Sequence, residues 1–552
     1  MQDTFVKKLN SGMAIVIPRI AITRVASFFL LLFLWFPVIT WNTAMAYETK
    51  ETVSGIVFHD RNGSGEFDPE ADTPLDGVAV SNGRDIAVTD EEGRYTLTVD
   101  DHTILFVIKP ANWSVPVNEL QIPQFYHIHN TRGAAGARYD GLKPTVSLPA
   151  SVDFPLLPTE EPDEFEAIVF ADTQPRDKKE ISYLARDAVA ELIGTNAAFG
   201  ITLGDLVFDD LDLLGHVNET VATIGIPWRY LIGNHDLDFS ADDNTGARGA
   251  YYSHYGPSYY SFSYGSAHFL VLDNNRFIVD GDNRYYRPEL DVDQLVFVQN
   301  ELARIDNDKV LIVMMHIPWD DNGWNREQRD TLMALLAEHP NALSLGAHWH
   351  RHYHRYLDKE YGLPAGHYHH MVSVGAVCGA WWQGMPDEYG IPHAMMSDGT
   401  PTGYGVLHVS RAGAKMHWQS SRRSPHFQMH IHVSEENNVE KTESLTVTAN
   451  IFNALPDARV QMRIGQSGEW INMEKITERD PLRLEAAALD ALLTDHLGED
   501  ARWLEMGGTA HTYTLWQGSI NEPLPKGTHV LHVRSEDRWW EHEGHKVIRI
   551  AE

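Results

Sequence analysis

One cysteine in 552 residues, Cys378, excludes an internal disulfide framework. Positive charge is scarce as well: 44 Lys and Arg stand against 77 Asp and Glu, a formal net charge of -33. That balance repels nucleic acid and anionic membrane surfaces at long range, so a polyanionic substrate needs a strong local positive charge, such as bound cations. After Ile39 no apolar run is long enough to cross a bilayer, and repeats and low-complexity tracts are missing throughout. What the chain does have is 43% hydrophobic and 10% aromatic residues, enough for real cores. At ~150 residues per domain its length suggests three or four of them.

The first residues carry Lys7, Lys8, Arg19 and Arg24, then an apolar segment over 25–39, then Ala44-Met45-Ala46. This order reads as a secretory signal, residues 1–46, cut after Ala46, and places the protein in a periplasm, outside the cell or at its surface. An uncleaved anchor is disfavoured because the apolar segment falls short of the ~20 residues a span needs. Residues 53–155 show short β-branched runs separated by Asn82-Gly83 and Glu92-Gly93, which predict a small β-sandwich module. Inside it, the 60–70 stretch from Asp60 to Glu70 spaces oxygen side chains around glycine. It reads either as a calcium loop or as a plain acidic turn, because Ala71 stands where the twelfth-position glutamate belongs. From 165 to 420 apolar runs alternate with helical periodicity at 179–193, 211–224, 292–305 and 326–337, the pattern of an α/β sheet. Residues 425–552 turn β-rich again, around one helix-forming stretch at 482–497.

The chemistry lies in the middle section, where five apolar runs each stop on oxygen or nitrogen donors. These are Asp172 and Gln174 after 167–170, Asp205 after 200–203, Asn234 after 228–232, His316 after 310–315, and His348 and His350 after 342–345. A lone Asp at a strand end usually caps the next helix, and a lone buried His is usually just hydrogen bonded. Seven such donors on one side of one sheet, with Gly204, Gly233 and Gly346 at the turns, describe a metal centre. Other residues have ordinary readings: Cys378 as a small buried hydrophobe, His352 and His354 as strand faces, Arg276 as a surface arginine, and Trp381, Trp382 and Tyr389 as packing or a substrate wall.

These motifs, Asp172-Thr173-Gln174, Gly204-Asp205, Gly233-Asn234-His235-Asp236, His316 and Gly346-Ala347-His348-Trp349-His350, resemble those of the calcineurin-like metallophosphoesterase family, in its subgroup with β-rich modules on both sides. Two departures are visible: Ala347 is inserted before the histidine pair, and Gln174 replaces the commoner histidine. The resemblance implies a mixed two-sheet α/β/β/α core over 165–420. It implies that Asp172, Gln174, Asp205 and His350 hold one divalent ion, and that a bridging Asp205 with Asn234, His316 and His348 holds another. Imidazole and carboxylate together suit Mn, Fe or Zn. A hydroxide bridging the pair would attack a phosphate mono- or diester, with a small-molecule or glycan- or lipid-linked substrate and no nucleic acid. His235 would contact phosphate or protonate the leaving oxygen, oriented by Asp236 or Asp209. The rival reading is a cell-surface binding or adhesion protein with a structural metal domain.

Overall fold

The apolar runs between residues 165 and 420 become two stacked sheets in the computed structural model, which describes residues 50–134, 136, 138–433, 436–438 and 444–551. The expected leader, 1–46, lies outside the described residues. In the first sheet Phe165–Phe170, Phe199–Thr202 and Trp228–Tyr230 pair in parallel, and Gly403–Ser410 and Gly413–Ser420 extend it antiparallel beyond the first of them. The second runs Tyr260–Tyr264, Ala267–Val271, Val310–Met314, Ala342–Gly346, His369–Ser373, Tyr353–Leu357, its four inner strands parallel. Strands such as Val310–Met314 are apolar throughout because both of their faces are covered, and every residue of it is buried. The sheets meet through aromatic rings: Phe199 lies 5.6 Å from Phe262 and 5.3 Å from Phe269.

Helices flank the pair, giving the expected α/β/β/α order. Three of the main ones start at a side chain that accepts from the first-turn backbone: Asp177 before Lys178–Leu184, Asp291 before Val292–Leu302, and Asn325 before Arg326–Leu336. Each such cap is worth about 1 kcal/mol. The first helix continues through a wide turn, Ala185–Val189, that seats Asp187 against Arg422 at 2.7 Å. The stretch at 211–224 folds as a short 3-10 turn followed by Leu214–Ala222.

The N-terminal module is a sandwich. One sheet holds Glu51–His59, Thr73–Pro74, Arg94–Val99, Trp113–Ser114 and Phe154–Pro158, and the other Ala79–Ser81, Ile86–Val88, His102–Val107 and Tyr126–Asn130. Arg94–Val99 alternates exposed and buried residues as a half-buried strand should. The carboxylates of the 60–70 loop close the loop on itself: Asp60 accepts from the backbone of Gly63, Ser64 and Gly65, and Asp72 from that of Arg61 and Asp68. Both an acidic turn and a calcium loop are closed by bonds of this kind.

Beyond residue 425 two further sheets enclose a second core of Val447, Met462, Trp516, Leu531 and Val533. The expected helix spans Pro481–Leu497, capped by Asp480. The described residues nevertheless cluster as one unit, and a single apolar core runs from Val53 to Phe452. A buried ion pair ties the N-terminal strands to the second sheet: the Lys109 ammonium donates to Glu161 and to the Ser263 carbonyl, both at 2.6 Å.

Candidate metal centre

Every predicted donor sits just past the C-terminal end of a parallel strand, three of those strands in the first sheet and two in the second, so the donors converge where the two sheet edges meet. The turns that present them are tight. Asp172, Gln174, Asp205, His348 and His350 hold positive φ of 47°, 33°, 51°, 68° and 51°, a region L-residues rarely occupy. Gly233 lets the chain pass Asp205 closely, since a Cβ there would lie 2.1 Å from the Asp205 backbone nitrogen. Gly204, at φ 89°, is required both by its conformation and by His316, whose ring a Cβ would meet at 2.8 Å. The inserted Ala347 leaves the turn intact: its N–H donates to the His316 carbonyl at 2.8 Å, and the next N–H, of His348, meets both Asp172 oxygens at 3.2 Å.

The donors form two groups with Asp205 between them. In one, His316 Nε2 lies 3.2 Å from Asp205 Oδ1, 3.0 Å from Asn234 Oδ1 and 3.2 Å from His348 Nδ1. In the other, Gln174 Nε2 donates to Asp205 Oδ2 at 2.7 Å, and His350 Nε2 lies 3.6 Å from Asp172 Oδ1. The opposite ring nitrogens fix which atoms face inward. His316 Nδ1 donates to the Leu203 carbonyl at 2.9 Å and His350 Nδ1 to that of Gly379 at 2.6 Å, leaving each Nε2 lone pair directed at the carboxylates.

The electrostatics fit a cation. Burial, aided by Asp205, pushes the Asp172 carboxyl up to about 8. Asp205 is equally buried, but His316 and His235 hold it below the usual carboxylate range. Burial drives His348 down to about 3 and His350 down to about 4, so both are neutral with free lone pairs. His316 is also opposed by burial, yet Asp205 lifts it to about 9, a proton held where a dication would take the same lone pair. Among the described residues, Asp205, His316 and His348 offer ligand atoms all within 4.8 Å of one another. Two buried carboxylates, three inward imidazoles and two amides suit borderline divalent ions. Gln174 shows its nitrogen to Asp205 and its oxygen to the Cys378 thiol at 3.8 Å, so it can ligate only with the amide turned over. Cys378 is buried as expected, though against the centre: His350 Nδ1 is 3.7 Å away, and burial raises the thiol far above its ordinary value.

His235 stands at the rim. Its backbone N–H donates to Asp205 Oδ1 at 2.9 Å, and its ring Nδ1 meets Asp209 Oδ1 at 2.7 Å, leaving Nε2 without a partner among the described residues. Burial disfavours its charge, but Asp205 and Asp209 outweigh this and raise it to about 9. Of the two acids expected to orient it, Asp209 is the one that meets the ring. Asp236 instead turns inward, accepting the backbone N–H groups of Gly233, Leu206 and Val207 at 2.7, 2.8 and 3.3 Å, and holds the loops rather than the ring.

The surroundings add Phe208 and Tyr286, which no sequence pattern marked, to the tryptophan singled out at 381. Phe208 stacks on His235 at 4.7 Å, Trp381 covers His350 at 4.6 Å, and Tyr286 stands edge-on to His348 at 6.2 Å. Trp382 is buried, its indole N–H donating to the Thr173 carbonyl at 3.0 Å, whereas Tyr389 lies exposed beneath Arg422. Arg276 is half-buried on the hairpin that carries Tyr286. His352 and His354 are buried away from the donors, both meeting Asn453 Oδ1, at 3.0 and 3.2 Å.

Comparison with known families agrees along the chain. Residues 61–141 match the model described as the N terminal of calcineurin-like phosphoesterase, residues 167–352 that of calcineurin-like phosphoesterase, and residues 372–542 that of its C terminal. No curated protein matches the chain. Among the described residues no helix is long and apolar enough to cross a membrane. With strand-end donors converging on Asp205 and three matched regions in the family's own order, the chain belongs to the calcineurin-like phosphoesterase family, metal-dependent hydrolases of phosphoesters.

Proposed function

We propose that this protein is an exported phosphoesterase working with two divalent ions, Mn, Fe or Zn, on a phosphate mono- or diester. Asp172, Gln174, Asp205 and His350 would hold one ion, and Asp205, Asn234, His316 and His348 the other. The observation that carries this is the position of Asp205, one of whose oxygens faces His316 and the other Gln174. When bound, the ions acidify water toward neutral pKa and offset phosphoryl charge, the local positive charge that an acidic chain otherwise lacks.

The chain's own residues do the rest. Asp172 and Asp205 supply the anionic charge that retains two dications, and the Leu203 and Gly379 carbonyls lock the imidazole tautomers. His235, held by Asp209 and Phe208, presents Nε2 to the leaving oxygen and can hand it a proton. Export rests on the basic, apolar and small-residue order of residues 1–46, and the glycan- or lipid-linked character of the substrate on the location that this implies.

Hydrolysis of p-nitrophenyl phosphate and bis-p-nitrophenyl phosphate with added Mn, Fe or Zn in turn, before and after Asp205→Asn, tests the reading. Turnover of at least one substrate that the substitution abolishes is expected. Turnover unaffected by it, or none with any of the three metals, overturns the reading.

A further inference from the structure

Beside the donors lies a hairpin that neither the motifs nor the family matches give a role, Asn275–Asp280 paired with Asn283–Pro288. It is firmly fixed. Arg248 donates to the Asn275 carbonyl at 2.7 Å, and the Asn275 amide to that of Ile232 at 2.9 Å, directly before Gly233. Arg284 reaches the Ala241 carbonyl and Asp242, both at 2.9 Å, and Phe277 packs on Phe239 at 5.7 Å. Along the second strand the side chains alternate, so that Tyr285 and Arg287 face solvent while Tyr286 turns inward. Its ring stands edge-on to His348, 6.2 Å between centroids and at 88° between planes. His348 belongs to the donor cluster, so the half-buried phenol borders the space in which a ligand of that cluster would sit. Among the described residues that hydroxyl has no hydrogen-bond partner. An ordinary phenol keeps its proton at neutral pH and can donate it in a hydrogen bond, and the group due in that space carries anionic oxygens.

We propose that Tyr286 is a substrate-binding residue, its O–H donating to a phosphoryl oxygen of the ester. The assignment rests on the phosphoesterase reading and adds to it a contact made by the hairpin and by none of the family motifs. A hydrogen bond to a charged oxygen at such a site is worth about 10- to 100-fold in binding.

Tyr286→Phe keeps the ring against His348 and removes only the donor. In the Mn-loaded protein, orthophosphate affinity measured by calorimetry is expected to fall about 10-fold or more, and kcat/KM for p-nitrophenyl phosphate or its diester by a similar factor, with metal content and Tm unchanged. Phosphate affinity within twofold of wild type overturns the assignment. So does loss of metal from the variant, which would make Tyr286 a support for His348. A wild type that binds phosphate but hydrolyses neither ester would defeat the phosphoesterase reading alone, because phosphate affinity still decides the role of Tyr286.

Discussion

Six residues of the site, the five strained donors and Asp209 at φ 62°, adopt the left-handed conformation without being glycine. Each costs about 1 kcal/mol or more, which persists because the turns between sheet edges can be closed no other way while the side chains face inward. Strain of this kind separates stability from activity. Asp209→Gly should raise the unfolding free energy by about 1 kcal/mol, read by denaturant melts, while lowering kcat about 10- to 100-fold through the loss of the His235 partner. Asp209→Asn, which tolerates the same φ, should leave Tm nearly unchanged and still lower kcat with metal content intact. Gln174→His should tighten Zn binding, measured by competition with a chelator, because an imidazole replaces an amide that must turn over to ligate. The donor types were legible in sequence because each follows an apolar run and three follow a glycine-bearing turn. The partner of His235 was not legible. It depends on how the 205–209 turn is wound, and there Phe208 stacks on the ring while the next residue supplies the carboxylate.

At the scale of elements, the strands and helices of the middle section follow their apolar periodicity closely, and the helix starts are marked by Asp177, Asp291 and Asn325 as side-chain caps. The hairpin at 275–288 was hidden, because its strands carry as many charged and polar side chains as apolar ones and take their places from contacts far along the chain. Helix Val292–Leu302 makes a pH prediction. It carries Glu301 into the second sheet, where the carboxylate meets His268 at 2.9 Å, Ser261 at 2.7 Å and Arg304 at 2.6 Å. Burial opposes its charge, but His268 and Arg304 prevail and hold it at about 2. A depressed carboxyl stabilises the fold above its unfolded value, near 4.5, and the contribution is lost as pH falls from there towards 2. The stability difference between wild type and Glu301→Gln, followed by melts across pH, should thus be largest above pH ~5 and vanish by pH ~2. At neutral pH it should reach about 3 kcal/mol, the cost of breaking a buried pair.

On the scale of the whole molecule, the C-terminal module looks separate by composition yet holds the site in place. The C-terminal helix carries Arg483, fully buried, whose guanidinium donates to the Met396 and Gly507 carbonyls at 3.1 and 2.6 Å, and Asp490, which accepts from the backbone of Met385 and Met506 at 2.8 and 2.7 Å. Those contacts fasten the loop that bears Trp381 and accepts from His350. Asn453, from the same module, donates to the Met416 carbonyl at 3.0 Å and accepts between His352 and His354. A chain ending at residue 424 should therefore fail to give a soluble, cooperatively melting protein, since the Trp418 and Met416 carbonyls would lose their Gln428 and Asn453 donors and the imidazoles their partner. Composition could show where the β-rich stretches lie but not this dependence, because the residues that fasten them, Asn453, Asp490 and Arg483, look in sequence like ordinary surface polar residues.

The most direct measurement is anomalous diffraction from crystals of the Mn-loaded protein, collected for wild type and Asp205→Asn. The account predicts two peaks in the wild type, one on each side of the Asp205 carboxylate, within ligand distance of His316 and His348 on one side and of Asp172 and His350 on the other, with at least one lost in the variant. A single peak, or a pair that leaves Asp205 untouched, would contradict it.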